Sequence, residues 1–236
     1  LFFVVQSDTD PAYHRLKDII GRRQKDSAGA KAHLSSFAAA PFMQAENGLE
    51  AVMQFTTRDR NKLALERDLL GVSGFAIPNI LCLSGDPLEN GDEPDASAVH
   101  DMDASGLVQL ATAMRDQGKL PSGREIKPAP RYFVGVADTP IDPTPDWQPT
   151  RLLSKLETGA DFAQTQFCFD CEILGRYIAR LKEFDIPSRL PMLIGLAPLA
   201  SARQARWMRD NLFGTIIPDA LIARLEAAGD PAAEGR

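Results

Sequence analysis

Six short segments, five rich in bulky apolar residues and one flanked by Phe, punctuate this chain: LFFVVQ (1–6), AVMQFT (51–56), NILCLS (79–84), RYFVGVA (131–137), PMLIGLA (191–197) and FAQTQF (162–167). None alternates strictly between apolar and polar residues. A strand with one wet face shows that alternation; a strand buried on both faces does not. These runs therefore predict strands covered on both sides, the condition of a parallel sheet wrapped by helices.

Helical periodicity fills the gaps. Leu107, Leu110, Ala111 and Met114 fall at i, i+3, i+4 and i+7, as do Ile173, Leu174, Tyr177, Ile178 and Leu181 in the next clear stripe. Ala202, Ala205 and Met208 make a weaker stripe. Pro218 at a first turn, followed by Asp219, Leu221, Ile222 and Leu225, marks a last helix. Strand–helix alternation over 236 residues predicts an α/β protein, a (β/α)8 TIM barrel forming one domain over residues 1–236. An open doubly wound sheet is the alternative, but no G-x-G-x-x-G follows a strand. Two segments of the barrel look absent. No convincing strand lies in residues 12–48, where the second belongs, and no eighth strand precedes Arg236. Residues 86–104 and 119–130, rich in Gly, Pro and Asp, read as exposed loops.

The net charge of −6 excludes a broad basic face for nucleic acid. Three cysteines make no disulfide framework, and Cys168 and Cys171 form a lone C-x-x-C without the second pair a zinc site needs. His14, His33 and His100 show no metal-ligand spacing, so no metal is expected. No run reaches the roughly 20 apolar residues of a membrane helix, and no charged-then-apolar leader opens the chain. The expectation is a cytoplasmic protein acting on small molecules, with a homo-oligomer left open.

In a barrel the chemistry collects where strands end. Thr56-Thr57-Arg58-Asp59-Arg60-Asn61, Ser84-Gly85-Asp86, Asp138, Thr165-Gln166 and Ser7-Asp8 all sit at such exits. Each has a plainer reading. Thr56 and Asp59 could cap the helix beginning near Arg60, Ser84-Gly85-Asp86 could be a tight turn, and Gln166 could be a polar strand end.

At these residues the sequence resembles the methylenetetrahydrofolate reductase family. NILCLSGDP (79–87) is similar to the family's strand ending in Gly-Asp, and AVMQFTTRDRNKLALERDLLG (51–71) to the strand and helix before it. GADFAQTQFCFD (159–170), GLAPLASARQARWM (195–208) and IIPDALIARLE (216–226) resemble later blocks, in order, from about residue 31 to residue 236. The resemblance implies a barrel holding FAD at its strand ends, reduced by NADH or NADPH, passing hydride to 5,10-methylenetetrahydrofolate. It implies catalytic roles for Asp8, Asp86 and Gln166, with Asp86 and Gln166 binding folate. It implies cofactor contacts from Gln54, Thr56, Thr57, Ser84, Gly85, Asp86, Ala137 and Lys155. Three positions depart from the family. Asp8 stands for its general-acid glutamate, Ala137-Asp138-Thr139 for a flavin-holding Tyr and His, and Ala202 or a neighbour for an aromatic over the folate. These departures keep two alternatives in view: a flavin-free, folate-binding methyl-transfer barrel, and a non-catalytic partner subunit.

Overall fold

The structure, a computed structural model, describes residues 29–30, 32, 35–47, 50–230 and 235. The sequence-predicted strand at 1–6, together with Asp8 and His14, lies outside them, as does His33. The chain forms two compact units. One contains the described residues up to Val136 with Glu157–Ala160; the other contains Ala137–Leu156 and the described residues from Asp161 onward.

The first unit is strand and helix in alternation: α1 (Ser36–Asn47), β1 (Val52–Thr56), α2 (Lys62–Gly74), β2 (Asn79–Leu83), α3 (Ala104–Gln117) and β3 (Phe133–Asp138), whose last two residues belong to the second unit. β1 pairs parallel with β2, placing Gln54 beside Leu81 and Thr56 beside Leu83. β2 pairs parallel with β3, placing Ile80 beside Val134. Strand side chains alternate faces. Met53 and Phe55 therefore share the face of Ile80, Cys82, Val134 and Val136, all buried. Phe37 of α1 meets Phe55 edge-on, 5.5 Å between ring centres, so this face is the helix-covered one. Gln54 and Thr56 point to the opposite face. Leu65, Leu69 and Val72 bury the inner stripe of α2, and the Tyr132 hydroxyl ties β3 to it by donating to Leu69 O at 2.8 Å.

The second unit holds α4 (Thr150–Glu157, of which Glu157 falls in the first unit), β4 (Phe162–Phe167), α5 (Cys171–Lys182), α6 (Ile186–Arg189), β5 (Met192–Gly195), α7 (Ala202–Asn211) and α8 (Asp219–Ala227). β4 and β5 pair parallel, with a register shift between Gln164 and Phe167. Leu199, Ala202, Ala205, Met208, Ile217, Ile222 and Leu225 form one apolar cluster joining α7 and α8, with Phe167 and Phe169 packed on it.

Sequence expectations need correction at the margins. Thr56 and Asp59 do not cap α2; Asn61 does, its Oδ1 accepting from Ala64 N at 2.9 Å. Asp59 is taken by Arg58 instead. Pro218 is the N-cap of α8 rather than a residue of its first turn. β3 starts at Phe133 and β5 stops at Gly195, two residues inside the predicted strands at 131–137 and 191–197. α4 and α6 are too short, at 8 and 4 residues, for a repeating apolar stripe to mark them in the sequence. The long polar segment after β2 is largely exposed and holds one 3-10 turn at Leu88–Asn90.

Candidate active site

In the first unit, backbone pairing runs one step beyond the strands. Thr57 N donates to Leu83 O and Arg58 N to Ser84 O, each at 3.1 Å. That extension brings Thr56, Thr57, Ser84, Gly85 and Asp86 together at the carboxyl ends of β1 and β2. Gly85 has φ +94°, a left-handed conformation that side chains resist, and a Cβ there would stand 3.1 Å from the Arg58 Cβ. Glycine is thus required twice over. Arg58 is only 3% exposed. Its Nε and Nη2 donate to the two carboxylate oxygens of Asp59 at 2.7 and 2.9 Å, and its Nη1 donates to the main-chain oxygen of Asp86 at 2.9 Å. Asp86 is exposed overall, yet its carboxyl loses part of its water. Burial raises its pKa, and the nearby Arg58 charge opposes the rise.

The Thr56 hydroxyl donates to Asp59 Oδ2 at 3.2 Å and accepts from Arg60 Nη1 at 3.1 Å. The Thr57 hydroxyl lies 3.5 Å from both Ser84 O and His100 Nδ1. Gln54, two residues before Thr56 on the same face, is 3% exposed, and its Oε1 has no hydrogen-bond partner among the described residues.

In the second unit, Asp138 ends β3. Tyr177 of α5, 1% exposed, donates its hydroxyl to Asp138 Oδ2 at 2.7 Å. Burial raises the Asp138 pKa; the Tyr177 hydroxyl, the Thr139 amide and the Lys155 charge each hold it down. The Lys155 ammonium donates to Ala137 O at 2.5 Å. Its pKa is lowered by burial and supported by Asp138. Gln166 uses both ends of its amide, Nε2 donating to Phe213 O at 2.9 Å and Oε1 accepting from Phe167 N at 3.0 Å. An amide has two N–H groups and two lone pairs, so one of each is left for a ligand among the described residues. Cys168 lies buried just past β4, and exposed Cys171 opens α5; both are free thiols.

The Asp138–Tyr177 contact predicts a pH-dependent loss of stability. Tyr177→Phe should destabilise the protein by about 1–3 kcal/mol at neutral pH by stranding a buried acceptor. The hydroxyl favours the ionised carboxyl, so its contribution is present above the Asp138 pKa and fades as pH falls through it. Denaturant melts of both proteins at neutral and acidic pH check this: a gap that widens on acidification contradicts the assignment.

A sequence model described as methylenetetrahydrofolate reductase matches residues 24–235 of the chain. The chain belongs to the methylenetetrahydrofolate reductase family. Methylenetetrahydrofolate reductase 2 of Schizosaccharomyces pombe is 26% identical over 214 residues, covering 86% of this chain and 31% of that protein. The chain therefore spans about a third of that relative's length.

The fold of methylenetetrahydrofolate reductases is the (β/α)8 barrel. The strand–helix alternation and parallel pairing within each unit here are its elements. Of the residues the sequence singled out, Thr56, Thr57, Ser84, Gly85 and Asp86 share the strand ends of the first unit, and Gln54 lies two residues back inside β1. Ala137, Lys155 and Gln166 occupy the second, where Lys155 and Ala137 touch and Gln166 turns toward Phe213. Asp8 lies outside the described residues. Sequence reasoning placed Arg58 among the strand-exit residues but gave it no role. It also missed that Asp138 is held by Tyr177, which periodicity marked only as a core position. No group of three or more metal-ligating side chains occurs among the described residues, and no described helix is long and apolar enough to cross a membrane.

Proposed function

We propose that the chain reduces 5,10-methylenetetrahydrofolate to 5-methyltetrahydrofolate with NADH or NADPH, as one catalytic barrel over residues 1–236 working in the cytoplasm. The observation that carries this reading is the Gly85 turn, which presents Asp86 at the carboxyl end of β2. Family membership over residues 24–235 supplies its context.

The residues fit FAD. A buried acceptor left without a partner costs about 1–3 kcal/mol, so Gln54 Oε1 suits a ligand donor. Gln54, Thr56, Thr57, Ser84, Gly85 and Asp86 would hold the cofactor, and the family resemblance adds Ala137 and Lys155 to its contacts. When bound, FAD supplies the hydride carrier between nicotinamide and folate. The protein's own groups do the rest. The Asp86 carboxylate stabilises the cationic, ring-opened form of the folate. Gln166 binds the pterin with its remaining donor and acceptor. Asp8 donates the proton to N10 that opens the one-carbon bridge.

A spectrum of the purified protein tests the reading. Flavin bands should bleach on anaerobic NADH or NADPH and return on adding methylenetetrahydrofolate. A colourless protein that never oxidises NAD(P)H with this folate overturns it, and favours methyl transfer or a partner-subunit role. Gln166→Ala should weaken the folate step by about 0.5–1.5 kcal/mol, the net value of a hydrogen bond, and affect nicotinamide oxidation less. Equal losses in the two half-reactions, measured by stopped flow, remove Gln166 from pterin binding.

A further inference from the structure

The side chain that organises the first unit's strand ends is Arg58. We propose that Arg58 is a positioning residue of the active site: its buried guanidinium holds the Gly85-Asp86 turn in the shape that presents the Asp86 side chain to the folate. The proposal rests on the role for Asp86 read above.

A guanidinium is a rigid planar fork, and two of its N–H groups matched to one carboxylate fix its plane. Asp59 does this for Arg58, through Nε at 2.7 Å and Nη2 at 2.9 Å. Asp59 is itself steadied by the Thr56 hydroxyl at 3.2 Å. With the plane fixed, Nη1 is aimed at the main-chain oxygen of Asp86, 2.9 Å away. The same guanidinium lies against the turn, since a Cβ on Gly85 would meet Nη1 at 3.3 Å.

The Arg58 main chain ties in two further segments. Its N–H donates to Ser84 O at 3.1 Å, and its oxygen accepts from Val99 N at 2.7 Å. One residue thus joins the end of β1, the exit of β2 and the loop before α3. Burying a guanidinium costs solvation that an ion pair with Asp59 would not need at the surface. What the burial achieves is orientation of the turn. A lysine carries its charge on a flexible stem and cannot hold Asp59 and the Asp86 oxygen with one plane.

The test compares Arg58→Met and Arg58→Lys with the parent protein. Two readouts are taken: amide hydrogen exchange without ligand, and equilibrium binding of 5-methyltetrahydrofolate. The amides of Thr57, Arg58 and Val99, whose bonds converge here, should exchange about tenfold faster or more in Arg58→Met and by a smaller factor in Arg58→Lys. Folate binding should weaken in the same order, by about tenfold for Met. If Arg58→Met does not fold, Arg58→Lys and Asp59→Asn decide, each expected to exchange faster at these amides and to bind folate more weakly than the parent. Exchange unchanged in the folded variants overturns the proposal. So does faster exchange with folate affinity intact. If the parent itself binds no folate, the proposed reaction fails, and the exchange rates still decide whether Arg58 holds the turn.

Discussion

Asp86→Asn is expected to lower folate-dependent turnover by at least about tenfold, or about 1.4 kcal/mol of barrier, with the fold intact. The substitution keeps the shape and removes the charge. Nothing in the turn should shift, because Arg58 grips the main-chain oxygen of Asp86 rather than its carboxylate. Gly85 is likewise untouched. The loss therefore reads the charge alone: burial raises the pKa of this partly desolvated carboxyl, and the guanidinium beside it opposes part of that rise. Steady-state turnover with saturating NADH or NADPH and varied folate measures it. Parent-like rates in a folded Asn variant take Asp86 out of the mechanism.

Gly195→Ala is expected to cost about 1–3 kcal/mol of stability, the range for overpacking a filled interior. It should also disturb Gln166. The added Cβ would stand 2.6 Å from Thr165 O and 3.1 Å from the Gln166 carbonyl, and these are backbone atoms of the neighbouring strand. Backbone in a parallel pair cannot step aside as a flexible side chain can. Gly195 N also donates to the Thr165 hydroxyl at 2.9 Å, so parting β5 from β4 breaks that bond. For a chain of this size the thermal midpoint should fall about 2–4 °C per kcal/mol. A midpoint and a folate affinity both equal to the parent's would show that the strands yield more easily than this packing allows.

The strand exits were legible because exit chemistry is local. Ser84-Gly85-Asp86 and Thr56-Thr57 follow apolar runs directly, and a polar residue after a buried strand has few places to go. The cap of α2 was misread for an equally local reason. Thr56, Asp59 and Asn61 are all competent caps, and sequence alone does not tell which is already engaged. The structure gives Asp59 to Arg58 and leaves the cap to Asn61. Gln166 was legible as a polar strand end, but not as an amide bonded to Phe213, 47 residues away.

By itself the sequence determined the class of the fold and the family. Unalternated apolar runs demand burial on both faces, and the ordered blocks from residue 31 onward carry the resemblance. Tertiary structure alone decided the partners of the charges. Arg58 meets Asp86 across 28 residues and Tyr177 meets Asp138 across 39, and neither spacing follows any helical or strand period. The reason is physical. Periodicity records which side of an element loses water, a property of each segment by itself. Which buried donor reaches which acceptor depends on the register and packing of several segments at once, fixed only when the chain closes on itself.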